Sequence, residues 1–151
     1  MPNTIYDALR ESHELQRSLC RSMLRVADAA KRYQTFVALK IELAAHAAAE
    51  ERYLYAPILL HDGGLNSSRH ALSEHHKVDE IVEEMEGGDP ASRKWRESAR
   101  KLSEKVHHHL KEEETKFFQV SGKLLSATQK KVLAKQYAKD YERMKSVLSS
   151  G

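Results

Sequence analysis

A histidine followed four residues later by a glutamate, set inside an apolar helical stripe, occurs twice in this chain, as His46/Glu50 and His109/Glu113. That spacing places both side chains on one face of a helix, one turn apart. On the second helical segment the stripe runs Leu39, Leu43, His46, Glu50, Tyr53 and Pro57; on the fourth it runs Leu102, Val106, His109, Glu113, Phe117 and Val120. Polar groups on such a stripe face a dry interior and need partners there. The same spacing recurs at His70/Glu74, His76/Glu80 and His108/Glu112, but these pairs sit off their stripes and read as solvated or as supporting a ligand from outside.

A longer repeat accompanies the motif. A lone inward histidine, His13, precedes His46 by 33 positions, and another, His75, precedes His109 by 34. The chain reads as a helical hairpin written twice, each hairpin offering one histidine from its first helix and a His/Glu pair from its second. Two such hairpins packed about a pseudo-twofold axis bring four imidazoles and two carboxylates to one place in the core. A buried network of that composition without metal would need every group paired by another, which is costly. Mixed imidazole and carboxylate donors without thiolate favour iron or manganese over a closed structural zinc site, with iron foremost. His75 is preferred to His76 by Leu72, Val78, Val82 and Met85, and His109 to His107 and His108 by its own stripe.

The remaining sequence supports an all-α architecture. Thr4 and Asp7 form a capping box for a first helix reaching about Lys31, with Leu9, His13, Cys20, Leu24 and Ala27 inward and a break expected near Arg32 to Gln34. A loop over His61 to Asn66 precedes a third helix capped by Ser67 or Ser68. Gly87, Gly88, Asp89 and Pro90 mark the next boundary, with Asp89 as N-cap and Pro90 in the first helical position. Ser126 and Gln129 open a fifth helix, inward at Val132, Leu133, Gln136, Tyr137, Tyr141, Met144 and Leu148. The expectation is a single domain over 1–151: an up-down four-helix bundle over about 4–120 and an additional C-terminal helix over about 126–149.

Composition narrows the partners. Twenty-five Lys and Arg against 22 Asp and Glu leave a charge of +3, interspersed along the chain, which argues against nucleic acid as the main partner. Uncharged runs are too short for a membrane span, the N-terminus lacks a signal-peptide core, and cytoplasm is the default location. One cysteine, Cys20, excludes an internal disulfide or thiolate cluster; it lies about 10 Å along the helix from His13 and reads as a small core residue.

The segments SHEL at His13, HAAAEERYLY from His46 to Tyr55, SEHHKVDEIV at His75 and HHHLKEEETKFF from His107 to Phe118 resemble the hemerythrin-like HHE cation-binding family over about residues 4–120. The resemblance implies a hemerythrin-like bundle holding a non-haem pair of iron ions, carboxylate-bridged and oxo- or hydroxo-bridged. Glu50 and Glu113 would bridge, and His13, His46, His75 and His109 would be terminal ligands; manganese or zinc are the alternative ions. Ligands of such proteins are small molecules: dioxygen, peroxide or nitric oxide. Oxygen carriers of this kind have a further histidine where this chain has Asp79, and their last carboxylate is an Asp one residue later than Glu113. One imidazole fewer implies a more open site, suited to handling peroxide or nitric oxide rather than to oxygen carriage. The alternative is a non-catalytic iron or oxygen sensor, an iron store or an iron-centre repair protein. Asp79 is a further candidate ligand, and Tyr53 and His76 are candidates to support the ligands from outside; monomer and homodimer both remain open.

Overall fold

The computed structural model describes residues 3–150, with no strand among them. Helix α1 spans Ile5–Arg25 and α2 spans Ala29–Glu50. The latter continues without a break through a π-helical turn, Glu51–Tyr55, into the short α3, Ala56–Leu59. After a 3-10 turn at Asp62–Gly64, α4 spans Leu65–Met85 and α5 spans Arg93–Glu112. A second π turn, Glu113–Phe117, carries α5 into α6, Phe118–Gly122, and α7 closes the chain at Ala127–Ser150. The bundle expected from sequence is therefore present: hairpin α1/α2 faces hairpin α4/α5, and α7 lies along α1 and α2.

The ends of the helices show how local chemistry sets them. The Thr4/Asp7 capping box forms, and Ser126 and Gln129 exchange the two hydrogen bonds of another. The first break falls earlier than the sequence suggests. Asp28 accepts from Lys31 N at 3.0 Å and starts α2, so α1 stops at Arg25, and Leu24 and Ala27 are exposed rather than inward. The Arg32 guanidinium then satisfies the carbonyls of Val26 and Ala27. The third long helix begins at Leu65, before Ser67 and Ser68, and the Ser68 hydroxyl is buried without a partner. At the Gly87–Pro90 boundary, Gly87 takes a φ of 72°, but the N-cap of α5 is Ser92 and not Asp89.

The apolar core has two parts. One surrounds Met23, Phe36, Leu39, Val82, Trp95 and Leu102; the other surrounds Ile5, Leu9, Leu54, Tyr55, Ile58 and Phe117. The inward histidines and glutamates form a polar layer between them in the chain order of every helix that contributes. No helix among the described residues is long and apolar enough to cross a membrane.

Gly64, which links the 3-10 turn to α4, has no room for a side chain: an added Cβ would lie 2.6 Å from the Ile58 carbonyl oxygen and collide with the Ile58 side chain. Overpacking against backbone costs roughly 1–3 kcal/mol, so Gly64→Ala is expected to lower the melting temperature by several degrees. Circular dichroism melting of the two proteins checks this, and equal melting temperatures would contradict the close approach.

Candidate metal centre

Four helices each present their inward polar residue at the same level. His13 comes from α1, His46 and Glu50 from α2, His75 from α4, and His109 with Glu113 from α5 and the first residue of its π turn. All six are buried, Glu50 and His13 completely. Every imidazole turns its Nε2 toward a carboxylate. His13 Nε2 is 3.2 Å from Glu113 Oε1, His46 Nε2 and His75 Nε2 are each 3.2 Å from Glu50 Oε1, and His109 Nε2 is 3.6 Å from Glu113 Oε2. Two overlapping groups result, His13/His46/Glu50/Glu113 and Glu50/His75/His109/Glu113, in each of which the donor atoms all lie within 4.8 Å of one another.

These donors fit a metal better than they fit each other. The Nε2 atoms of His13, His46 and His109, together with Glu50 Oε2 and Glu113 Oε1, are buried without a hydrogen-bond partner. Leaving buried polar atoms unpaired is costly, and cations held by the two groups would satisfy all five. Protonation in the metal-free protein is correspondingly uneven. Burial pushes the Glu113 carboxyl up, reinforced by the charge of Glu50, whereas burial of Glu50 is outweighed by His46 and His75, which hold it well below the usual range. Burial alone would push the His13 and His75 imidazoles down, but their carboxylate neighbours hold them up at about 9 and about 10. Burial and the nearby His75 press His109 down to about 3.

Residues 4–120 match the family model of the hemerythrin HHE cation binding domain. The chain belongs to this family. A DNA nickase of Nostoc sp. (strain PCC 7120 / SAG 25.82 / UTEX 2576) is 25% identical over 142 residues, covering 94% of this chain and 39% of that protein. The chain thus spans about two fifths of the length of that curated relative. No solved structure matches.

Around the six inner residues, the HHE domain holds the other ring nitrogens in a near-symmetric pattern. His13 Nδ1 donates to Glu114 Oε2 at 2.7 Å, and His75 Nδ1 donates to Glu51 Oε2 at 2.9 Å. Each lone histidine is thus held by the glutamate that follows the inner glutamate of the opposite hairpin. Arg17 grips Glu114 from the other side at 2.7 Å, and despite partial burial the two cations hold Glu114 down at about 2. His46 Nδ1 lies 2.8 Å from the Tyr137 hydroxyl on α7, itself 2.7 Å from Ser12 Oγ. Such partners fix the ring and the tautomer that leaves Nε2 free.

The π turns also decide which aromatic residues reach the centre. A π turn accommodates one extra residue, so the position five after each inner glutamate comes round to the inner face. On one side this is Tyr55, whose hydroxyl donates to Glu50 Oε1 at 3.0 Å and, over a shorter distance, to Glu113 Oε2. Its ring lies 5.2 Å from that of His75. On the other side it is Phe118, stacked 5.9 Å from His13 and bringing no hydroxyl. Tyr53, expected near the centre, packs half-buried against the outer apolar core instead. His76 is also displaced from its expected role: it points to solvent and pairs with Glu80 at 2.8 Å. Asp79 is exposed beside His75 and belongs to neither donor group. His107 bonds the Ser103 carbonyl at 2.8 Å, and Cys20 is a buried core residue. The sequence reading missed Tyr55, Glu51, Glu114 and Tyr137. The runs EE at 50–51 and EEE at 112–114 were the visible trace of two of them.

Replacing Tyr137 by Phe removes the acceptor on His46 Nδ1 while keeping the ring. Loss of an outer partner of this kind typically costs roughly 10- to 100-fold in metal affinity, so Tyr137→Phe is expected to bind metal that much more weakly with an unchanged helical spectrum. Competition against a chromophoric chelator measures it, and wild-type affinity would show that α7 does not orient the ring.

Proposed function

We propose that the domain holds two iron ions and that the pair binds and reduces a small oxidant: peroxide or nitric oxide first, dioxygen next. The reading rests chiefly on the two four-donor groups having both carboxylates in common. His13 and His46 would ligate one ion, His75 and His109 the other, and Glu50 and Glu113 would bridge them. Four protein donors per ion leave coordination positions open. Bound iron would supply the electrons for the oxidant, shared between the two ions. Manganese and zinc suit the same donors.

The chain's own residues supply the rest of the chemistry. A cavity of about 270 Å³ is lined by His109, Glu113, Ala71 and Phe117 among others, a volume ample for peroxide, nitric oxide or dioxygen. Tyr55 stands on that same side of the centre. Burial and the charges of Glu113 and Glu50 hold its phenol far above the usual range, so in the metal-free centre the hydroxyl stays protonated and is available as a hydrogen-bond donor beside the two carboxylates. The histidine of oxygen carriers is replaced by an exposed Asp79, which supports turnover over carriage. Anaerobically purified chain is expected to carry two iron ions and to consume many equivalents of peroxide by dismutation, a second peroxide oxidised to dioxygen returning the two electrons that the first took in becoming water. Elemental analysis and peroxide assays test this, and iron-free protein that stays colourless on ferrous reconstitution would refute it.

A second reading, a non-catalytic iron sensor or store, is favoured by the protonation pattern of the centre. The metal-free centre keeps protons on His13 and His75 and one between the two carboxylates, so loading metal must expel them and stability follows occupancy. Iron-dependent melting without peroxide turnover would select this reading.

The protonation pattern also predicts a pH dependence. His13 and His75 have folded values above the ordinary 6.5 of imidazole, so their contribution to metal-free stability is complete below about pH 6.5 and is lost as pH rises through about 9 and about 10. Metal-free protein should therefore melt at progressively lower temperature from pH 7 to 10, while metal-loaded protein, whose imidazoles are already deprotonated, should not. Parallel calorimetric scans check this, and parallel curves would contradict it.

A further inference from the structure

Helix α7 lies beyond the residues that match the HHE family model, and it brings two tyrosines toward the buried centre. Tyr137 is buried; its hydroxyl stands 2.8 Å from His46 Nδ1, and the two rings lie 5.8 Å apart. Tyr141, one turn further along, stacks on Tyr137 with ring centres 5.7 Å apart and planes inclined by 19°. Aromatic rings therefore run in succession from the half-buried Tyr141 to the His46 imidazole.

The two phenols differ in what meets the hydroxyl. Tyr137 has Ser12 Oγ at 2.7 Å and His46 Nδ1; with His46 Nε2 committed to an ion, Nδ1 keeps its proton, and neither neighbour is a base. Tyr141 instead donates to Glu42 Oε2, which Lys145 Nζ also approaches at 3.0 Å. A proton passed along that hydrogen bond lands on a carboxylate, a group able to hold it. Glu42 is fully buried and its Oε1 has no partner, so the proton stays in place for return instead of passing to solvent. Of the pair, Tyr141 is the one that can shed a proton as it loses an electron.

Both rings also line a cavity of about 230 Å³ between α1 and α7, with apolar walls from Ala8, Leu15 and Ala138 and with Glu11 and Glu142 exposed beside them. Its volume accommodates one small aromatic molecule, its walls favour an apolar ring, and its carboxylates repel anions.

We infer that this cleft is an electron-donor site for a small neutral phenol or hydroquinone, and that Tyr141 and Tyr137 relay the donor's electrons to the buried centre. The relay rests on the proposed iron function; the cleft does not. In each pass Tyr141 gives one electron, through the Tyr137 ring and His46, to the oxidised pair of ions, and its phenolic proton crosses to Glu42. A hydroquinone in the cleft returns one electron to the tyrosyl radical, Glu42 hands back the proton, and the donor's own proton goes to solvent. Two passes turn one hydroquinone into a quinone. They replace the two electrons that one peroxide takes, with two protons from solvent, in becoming two waters, so the donor stands in for a second peroxide.

Freeze-quenched electron paramagnetic resonance on the iron-loaded full chain mixed with peroxide tests the relay. Wild-type chain is expected to give a tyrosyl radical that hydroquinone removes. Tyr141→Phe, which keeps the stacked ring and should keep the iron content, is expected to give a signal several-fold weaker. Equal signals in the two proteins, or no radical in the wild type, would overturn the relay. A chain that takes up no iron would overturn the relay together with the proposed function, and the cleft would then stand or fall on a second measurement. Phenol titrated into the metal-free chain and followed by nuclear magnetic resonance should shift the methyl signals of Leu15 and Ala138, and anionic benzoate should shift them far less. Leu15→Glu, a substitution at an exposed position, should lose the phenol response at Ala138 with an unchanged helical spectrum. Equal shifts with phenol and benzoate, or none with phenol, would overturn the cleft.

Discussion

Two carboxylates share one buried layer of this bundle, and the rest of the structure answers to their repulsion. Glu50 and Glu113 cannot both stay ionised there unless positive charge is brought to them. In the metal-free chain the repulsion is met by protons on His13 and His75 and by one on the carboxylate pair itself, and in the HHE family it is the business of a cation. The outer groups follow from the same need. Glu51 and Glu114 hold the Nδ1 protons of the two lone histidines, and Arg17 balances Glu114 in turn. Charge therefore alternates outward from the centre, carboxylate to imidazole to carboxylate to guanidinium, and each layer fixes the one inside it.

The backbone treats the two hairpins alike, but the side chains do not. Both carry a π turn at the inner glutamate, beginning just after Glu50 in one and on Glu113 in the other, and both use the next glutamate to hold the other hairpin's histidine. The hydroxyl of Tyr55 has no counterpart at Phe118, and among the six inner residues α7 bonds His46. The cavity opens on the His109 side. One half of the centre is therefore clamped by α7, and the other is furnished with a proton and a way in.

Much of this was legible in the sequence, for definite physical reasons. The six inner residues stood out because period 3.6 holds along α1, α2, α4 and α5 up to Glu50 and Glu113, and their placement needed only that period and the doubled spacing. Beyond those residues the period fails. Tyr53 was the residue that an unbroken α-helix would turn inward; the π turn passes it by and brings Tyr55 round. Nothing in a hydropathy stripe marks a π turn, because it depends on how the backbone is satisfied next to the packed centre. Tyr137 was legible as an inward residue of an amphipathic helix but not as a partner of His46, since a docking face says nothing of what it docks onto. His76 and Asp79 show the converse limit, in that neighbours on a helix diverge by about 100° and one faces the core while the next faces water.

The polar layer also divides the hydrophobic interior into two clusters. Each cluster draws on helices that run through both, so the chain is continuous across the seam while the apolar packing is interrupted there. Cooperativity of unfolding must then pass through imidazoles and carboxylates, groups whose mutual attraction depends on their protonation and on any bound cation. With the seam filled, the two ends would open as one unit; with it empty, each end can open on its own account. The centre is thereby the hinge of the molecule's mechanical unity as well as the seat of its chemistry.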